Sequence, residues 1–317
     1  MATVTFHFEG RKIQAAQGET VLDALLRSGE PVGHGCKAGV CQACLVRVQS
    51  GPVPPKARQG LALPVAEQGG ALSCCLKADE ALDLQPFREE DLPWVAAKVT
   101  RVRHLSPDVI EVKIEADLAV RPGQFLRVKG EGMERAYSVA ETTGSLHAFH
   151  IRLIPGGQMS ALWAQVQPGA ALTLQGPFGR SVYDPAHPDR PLLLIGSGTG
   201  LAPLWGVLND ALAQGHRGAI SLYHGAASSA GLYYRDELEA MVGVHYVPCA
   251  DAVTDPRDRP GSPLAQALQD HPDLTGYAVY LCGSPGLVNA AQRQCFLAGA
   301  DMQDIFSDPY VPQGVKA

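Results

Sequence analysis

No apolar run in this sequence is long enough to cross a bilayer. Stretches such as Pro191–Ile195 fall far short of the roughly 20 residues that a spanning helix needs. Nor is there a basic excess: 26 Lys and Arg stand against 32 Asp and Glu, a net charge of −6, which disfavours nucleic acid as a partner. Repeats and low-complexity tracts are missing, so solenoids and compositional tails are excluded. The first residues, MATVTFHFEGRK, lack the apolar core of a signal peptide; they alternate like a strand and soon meet charges. Gly-x-Ser-x-Gly and His-Glu-x-x-His signatures are absent, which removes the commonest hydrolase readings. So is any Cys-x-His pair, and with it any sign of a two-histidine Rieske cluster. The expected setting is a reducing cytoplasm, where the eight cysteines form no disulfide framework.

What is present supports packed domains. Apolar residues make up 46% of the 317 and charged residues 18%, enough for cores and too ordered a balance for a disordered chain. Three textures divide the length. Residues 1–90 hold the clustered cysteines and run into a charged, proline-flanked segment, Gln85–Pro93, read as a linker. Residues 94–187 are strand-like: VAAKVTRVRHL, VIEVKIEA, QFLRVKG and LHAFHIRLI alternate or run β-rich between Gly and Pro breaks, which predicts an antiparallel barrel. After a second break at Asp184–Pro191, residues 190–317 alternate strands with helices, which predicts a parallel sheet covered on both faces. Helices are expected at Pro203–Gln214, Tyr234–Val242 and Val288–Leu297.

Cys36, Cys41 and Cys44 stand in the spacing C-x4-C-x2-C, the plant-type [2Fe–2S] pattern, which needs a distant fourth thiolate. Gly33, Gly35, Ala38, Gly39 and Ala43 let backbone N–H groups approach the sulfurs, and such bonds help set the potential. Structural zinc prefers paired short knuckles, and only one such pair exists here. The fourth ligand is Cys74 or Cys75: adjacent residues in extended chain point opposite ways, so only one ligates. Leu72-Ser73-Cys74 resembles the Leu-x-Cys of plant-type ferredoxins, which implies Cys74 as ligand and Cys75 as a buried small apolar residue. Glu19–Leu26 likewise resembles the helix that crosses the ferredoxin β-grasp sheet.

Arg135-Ala136-Tyr137-Ser138 offers an aromatic face, a hydroxyl and a cation, which are what a flavin ring and its phosphates need. Ile154-Pro155-Gly156-Gly157-Gln158-Met159-Ser160 opens a helix whose N-terminus favours an anion. Gly176-Pro177-Phe178-Gly179 closes the segment. His147 and His150 have a metal-like H-x2-H spacing, but on a strand they lie on opposite faces. Further on, Ile195-Gly196-Ser197-Gly198-Thr199-Gly200 follows an apolar strand and precedes a helix, the context of a phosphate-cradling loop. Leu201 occupies the third glycine position of a Rossmann fingerprint, so a plain dehydrogenase loses support. The loop Gly225–Tyr234 has no Arg or Lys for a 2′-phosphate and no acid for a free ribose; NADH is expected over NADPH.

Taken singly, these motifs are weak. Their order resembles that of the ferredoxin–NADP reductase superfamily: R-x-Y-S, G-G-x-x-S, G-P-F-G, then G-T-G-x-A-P and C-G-x-P, here Cys282-Gly283-Ser284-Pro285. The resemblance implies that Arg135, Gly156, Gly157, Gln158, Met159 and Ser160 hold the flavin pyrophosphate. It sets Tyr137 and Ser138 against the isoalloxazine, with the main chain of His150, Ile151 and Arg152 alongside. It implies that Gly198, Thr199, Gly200 and Gly283 bind the dinucleotide and that Cys282 lies beside the nicotinamide. Phe306-Ser307-Asp308-Pro309-Tyr310 resembles the superfamily's acidic-x-aromatic ending, with Asp308 near flavin N5 and Tyr310 near the ring.

The whole chain resembles the reductase components of multicomponent bacterial oxygenases, which implies a multidomain enzyme. Its parts would be an α+β β-grasp ferredoxin domain, an antiparallel β-barrel binding FAD and an α/β domain binding NADH. Ser138, Cys282 and Asp308 would serve the hydride step. Electrons would then leave through the [2Fe–2S] cluster to a terminal oxygenase of Rieske or diiron type, the reductase being a monomer. Two alternatives share the domain order: a reductase serving a deoxysugar-pathway dehydratase, and a passive iron–sulfur carrier.

Overall fold

The structure, a computed structural model, describes residues 3–34, 37, 39, 44–59, 61, 63–88 and 92–310. The chain divides into two compact units, Met1–Pro93 and Trp94–Ala317.

In the first unit, strands β1 (Thr3–Phe8) and β2 (Arg11–Ala16) form a hairpin that leads to helix α1 (Val21–Arg27). Thr20 caps α1: its hydroxyl accepts from the Asp23 amide at 3.1 Å. Strand β3 (Leu45–Ser50), helix α2 (Leu63–Glu67), strand β4 (Gly70–Leu72) and strand β5 (Asp83–Pro86) follow. The sheet order is β2-β1-β5-β3-β4, with β1 and β5 parallel, the β-grasp arrangement. Val21, Ala24 and Leu25 of α1 are buried with Phe6, Phe8, Ile13, Val46 and Leu84 of the sheet. Gln85 and Pro86 belong to β5, so the segment read as a linker begins two residues into the sheet.

The second unit opens with the barrel: β6 (Val95–Ser106), β7 (Val109–Ala116), β8 (Phe125–Gly130), β9 (Met133–Thr143), β10 (Leu146–Arg152), helix α3 (Gln158–Gln165) and β11 (Ala171–Phe178). Six antiparallel strands close in the order β10-β7-β6-β11-β8-β9 around Val99, Val112, Ile114, Leu126, Val128, Phe149 and Leu174. The remainder comprises β12 (Leu192–Ser197), α4 (Leu201–Ala213), β13 (Ile220–Ser228), α5 (Arg235–Glu239), β14 (Val244–Ala252), β15 (Arg259–Pro260), α6 (Pro263–Asp270), β16 (Ala278–Gly283), α7 (Pro285–Leu297) and β17 (Ile305–Pro309). These strands form one parallel sheet, β15-β14-β13-β12-β16-β17.

Alternation along β12 explains why its apolar run is continuous. Leu192 and Leu194 pack against α4, while Leu193 and Ile195 pack against α6 and α7, so both faces are buried. The expected helix at Tyr234–Val242 is shorter: Tyr234 is left-handed, with φ 58°, and α5 spans only Arg235–Glu239. Helix α6 was not expected. Glycine keeps α4 close to the barrel, because a Cβ on Gly206 would lie 2.8 Å from Pro122 and 3.0 Å from the Ala140 carbonyl.

Candidate functional site

In the first unit, Ser73 pins two cysteine-bearing segments together. Its amide and hydroxyl both donate to the Cys44 carbonyl, at 3.0 and 2.7 Å. Ser73–Cys75 form a 3₁₀ turn, not extended chain, so consecutive side chains lie a third of a turn apart. The expected opposition of Cys74 and Cys75 therefore fails, and their sulfurs are 3.8 Å apart. Cys74 is buried beside Cys44, and that burial, with the adjacent sulfurs, pushes its thiol well up. Crowded thiols that resist ionising together are what a bound cation relieves, so this donor set fits an iron centre. Cys75 lies under Gly39, where an added Cβ would fall 2.7 Å from its sulfur, and it is half-buried where a buried residue was expected. Cys36 and Cys41 lie outside the described residues.

In the second unit, β9 carries Arg135, Tyr137 and Ser138. The Tyr137 hydroxyl accepts from Trp163 Nε1 at 2.7 Å, and the two rings meet edge to face, which fixes the tyrosine ring. Sequence reasoning missed Trp163; its signal was only an apolar position on α3. The Arg135 side chain makes no hydrogen bond or ion pair with another described residue. Gly157 starts α3 without a side-chain cap, so its first N–H groups are open to an anion. Ser160 Oγ accepts from the Ile154 amide at 2.9 Å and keeps its hydroxyl proton for another acceptor. An unpartnered cation, an uncapped helix start and an anchored aromatic ring fit a flavin and its pyrophosphate. Ile151 and Met159 point into the barrel core, so only their main chain is available to a ligand.

Ser138 Oγ donates to Asp308 Oδ2 at 2.6 Å, joining the barrel to β17. Cys282 Sγ lies 4.0 Å from the same oxygen. Burial pushes the Asp308 carboxyl up, against the bond from Ser138. Burial, then the Asp308 charge, holds the Cys282 thiol far above its ordinary range, so it is a neutral apolar contact and not a nucleophile.

A cleft of about 570 Å³ lies alongside, lined by Ser197, Gly198 and Thr199 and by Gly283, Ser284 and Tyr310. Gly200 closes tightly under it: a Cβ there would sit 2.4 Å from the Cys282 carbonyl. The Tyr310 hydroxyl donates to the Thr199 carbonyl at 3.1 Å and its amide to the Gly283 carbonyl at 2.8 Å. The charged lining residues are Asp108, Arg152 and Asp251; the first two pair at 2.8 Å, so Asp251 alone is uncompensated. It stands at the end of β14, beside Ala226–Ser228 of β13. The loop Gly225–Tyr234 itself has no acid, and the carboxylate standing beside it is Asp251 of the neighbouring strand. The surrounding cations are engaged: Arg235 pairs with Asp258 at 2.5 Å, Arg257 with Asp255 and Glu239, each at 2.7 Å, and Arg259 with Asp270 at 2.5 Å.

Residues 5–79 match the family described as 2Fe-2S iron-sulfur cluster binding domain, residues 96–183 oxidoreductase FAD-binding domain, and residues 194–293 oxidoreductase NAD-binding domain. The reductase subunit of an aromatic O-demethylase from Amycolatopsis sp. is 31% identical over 309 residues, spanning 90% of this chain and 91% of that protein. The toluate 1,2-dioxygenase electron transfer component of Pseudomonas putida is 30% identical over 323 residues, 95% of each chain. Among solved structures, an Amycolatopsis cytochrome P450 reductase matches with a TM-score of 0.67 at 28% identity, covering 98% of this chain and 99% of that one.

Proposed function

The chain belongs to the family of reductases that join a [2Fe–2S] ferredoxin domain to FAD- and NAD-binding domains in oxygenase systems, and on that premise we propose that it takes hydride from NADH in preference to NADPH. Electrons run from NAD(P)H through FAD and the [2Fe–2S] cluster to an oxygenase. Bound FAD supplies the exchange between a two-electron donor and a one-electron cluster.

One observation carries the assignment of the site. Ser138 of the barrel, Asp308 of the last strand and Cys282 at the end of β16 meet where the cleft ends at Gly283 and Tyr310. Ser138 would present its hydroxyl to flavin N5, and Asp308, whose carboxyl burial pushes upward, would hold that hydroxyl and exchange its proton. Tyr137 would pack on the isoalloxazine. Arg135, the Ser160 hydroxyl and the main chain of Gly156–Met159 would hold the pyrophosphate. Gly198, Thr199 and Gly200 would receive the dinucleotide phosphates. Cys282 and Tyr310 would flank the nicotinamide and exclude water. Cys36, Cys41, Cys44 and Cys74 would bind the irons.

The charge of the cleft supports NADH. Asp251 would accept from the ribose hydroxyls and repel a 2′-phosphate, and the nearby arginines already hold carboxylates. For the acceptor, the relatives' names include dioxygenase, monooxygenase and demethylase systems, so a terminal oxygenase acting on aromatic compounds is favoured. No described helix is long and apolar enough to cross a membrane; the same reading has the protein acting in the cytoplasm as a monomer.

Anaerobic titration with each dinucleotide tests the proposal. NADH should bleach the flavin and raise a rhombic spin signal, with a kcat/KM about tenfold or more above that for NADPH. Equal efficiency would refute the NADH preference. Reconstitution with purified Rieske, diiron and P450 oxygenases, scored by product, would sort the acceptors.

A further inference from the structure

Tyr233 and Tyr234 lie between β13 and α5, at the end of the loop Gly225–Tyr234, and no sequence motif assigns either a role. Both are buried. Tyr234 adopts φ 58° and ψ 24°, a left-handed conformation that a bulky residue keeps only where its surroundings over-determine it. The turn sets both rings against the barrel. The Tyr233 hydroxyl and His150 Nδ1 of β10 are 3.1 Å apart. The Tyr234 hydroxyl donates to Glu111 Oε2 at 2.7 Å and accepts from Arg103 at 2.6 Å. Arg103 also grips both oxygens of Glu111, at 2.8 and 2.9 Å.

On their other sides the same rings hold the cleft. Tyr233 meets His224 edge to face at 5.6 Å, and His224 Nε2 lies 3.1 Å from the Gly198 carbonyl in the glycine loop. Tyr234 stacks on Trp205 of α4, the helix that follows that loop, at 4.4 Å. Two lines of contact therefore run from barrel wall to dinucleotide loop, each through one tyrosine. Burial lowers His150 to about 3 and His224 to about 4, so both stay neutral and the links do not change charge near neutral pH.

We infer that the Tyr233–Tyr234 pair is a positioning clamp: it fixes the glycine loop and α4 against the barrel so that nicotinamide and flavin meet in a single geometry. This rests on the reading of the cleft as the dinucleotide site. A reacting pair displaced by a fraction of an ångström loses rate steeply while binding contacts survive. The clamp should therefore act on the hydride step and not on dinucleotide affinity.

The test uses the full-length holoprotein with Tyr233→Phe, Tyr234→Phe and the double change, reduced anaerobically by NADH and by NADH deuterated at the transferred position. Tyr234→Phe should slow flavin reduction by about 10- to 100-fold, and Tyr233→Phe less. The dinucleotide dissociation constant should stay within about threefold, with a larger deuterium isotope effect and unchanged flavin and iron content. A lower melting midpoint with unchanged reduction rate and isotope effect would show a merely structural role and overturn the inference. If the wild-type flavin is not reduced by either dinucleotide, the functional reading itself fails, and the clamp with it.

Discussion

The sulfurs of Cys74 and Cys75 lie 3.8 Å apart, yet their surroundings differ. Cys74 is 8% exposed and neighbours Cys44, whose carbonyl Ser73 holds with two bonds. Cys75 packs between two apolar clusters under Gly39. Cys74→Ser should abolish the rhombic signal and lower bound iron. Cys75→Ser should retain both, at a cost of no more than about 1 kcal/mol for a half-buried hydroxyl. Iron analysis and spin resonance on the two variants check this; the opposite pattern would move the ligand to Cys75. At the same scale, Ile151 and Met159 show that a motif can mark a stretch of backbone and not a set of side chains. Both lie in the flavin motifs while their side chains fill the barrel. Ser138, Cys282 and Asp308, by contrast, come from three distant segments and meet through their side chains.

Among the elements, α4 carries a glycine that helix propensity alone would replace. In an open helix, Gly→Ala stabilises by about 1 kcal/mol. At Gly206 the added methyl would press on Pro122, the Gly123 amide and the Ala140 carbonyl, all within about 3.0 Å. Because two of these contacts are backbone atoms, relief must come from moving α4 off the barrel. Gly206→Ala should therefore destabilise by about 1–3 kcal/mol, read as a fall in the melting midpoint; a rise would refute the close packing. Legibility followed similar lines. Strands β12, β13 and β16 were readable because burial on both faces leaves continuous apolar runs. Strands β6 and β7 alternate or run β-rich between breaks. Helix α6 was missed although Leu264, Ala267 and Leu268 stand at i, i+3 and i+4, because eight residues give the period barely two turns; Ser262 and Pro263, a cap position followed by proline, were a second signal. The left-handed turn at Tyr234 had no signal at all. Gly or Asn would have announced it, whereas here tertiary contacts impose it.

Across the whole molecule, the histidines are unevenly placed. The five whose burial lowers their pKa, His147, His150, His216, His224 and His271, all belong to the unit Trp94–Ala317. His150 and His224 fall to about 3 and about 4, from 6.5. Between those values the unfolded chain binds protons that the folded unit refuses, so stability rises with pH and is lost as pH falls from about 6.5 toward 4. The carboxylates of Asp108 and Glu111, lowered on balance by Arg152 and by Arg103 with Tyr234 against the cost of burial, lose their contribution only at more acid pH. Asp308, raised by burial, works the other way but is a single group. A fully buried histidine gives about 1.4 kcal/mol per pH unit in its window, so two give a slope on the order of 3 kcal/mol per unit. The transition that releases flavin fluorescence in urea should therefore shift to lower urea from pH 6.5 to 4.5. In a His150→Gln, His224→Gln variant that slope should be clearly smaller, because glutamine can keep a hydrogen bond without taking a proton; His147, His216 and His271 supply what remains. An unchanged slope in the variant would mean that these two buried rings do not set the acid sensitivity of the unit.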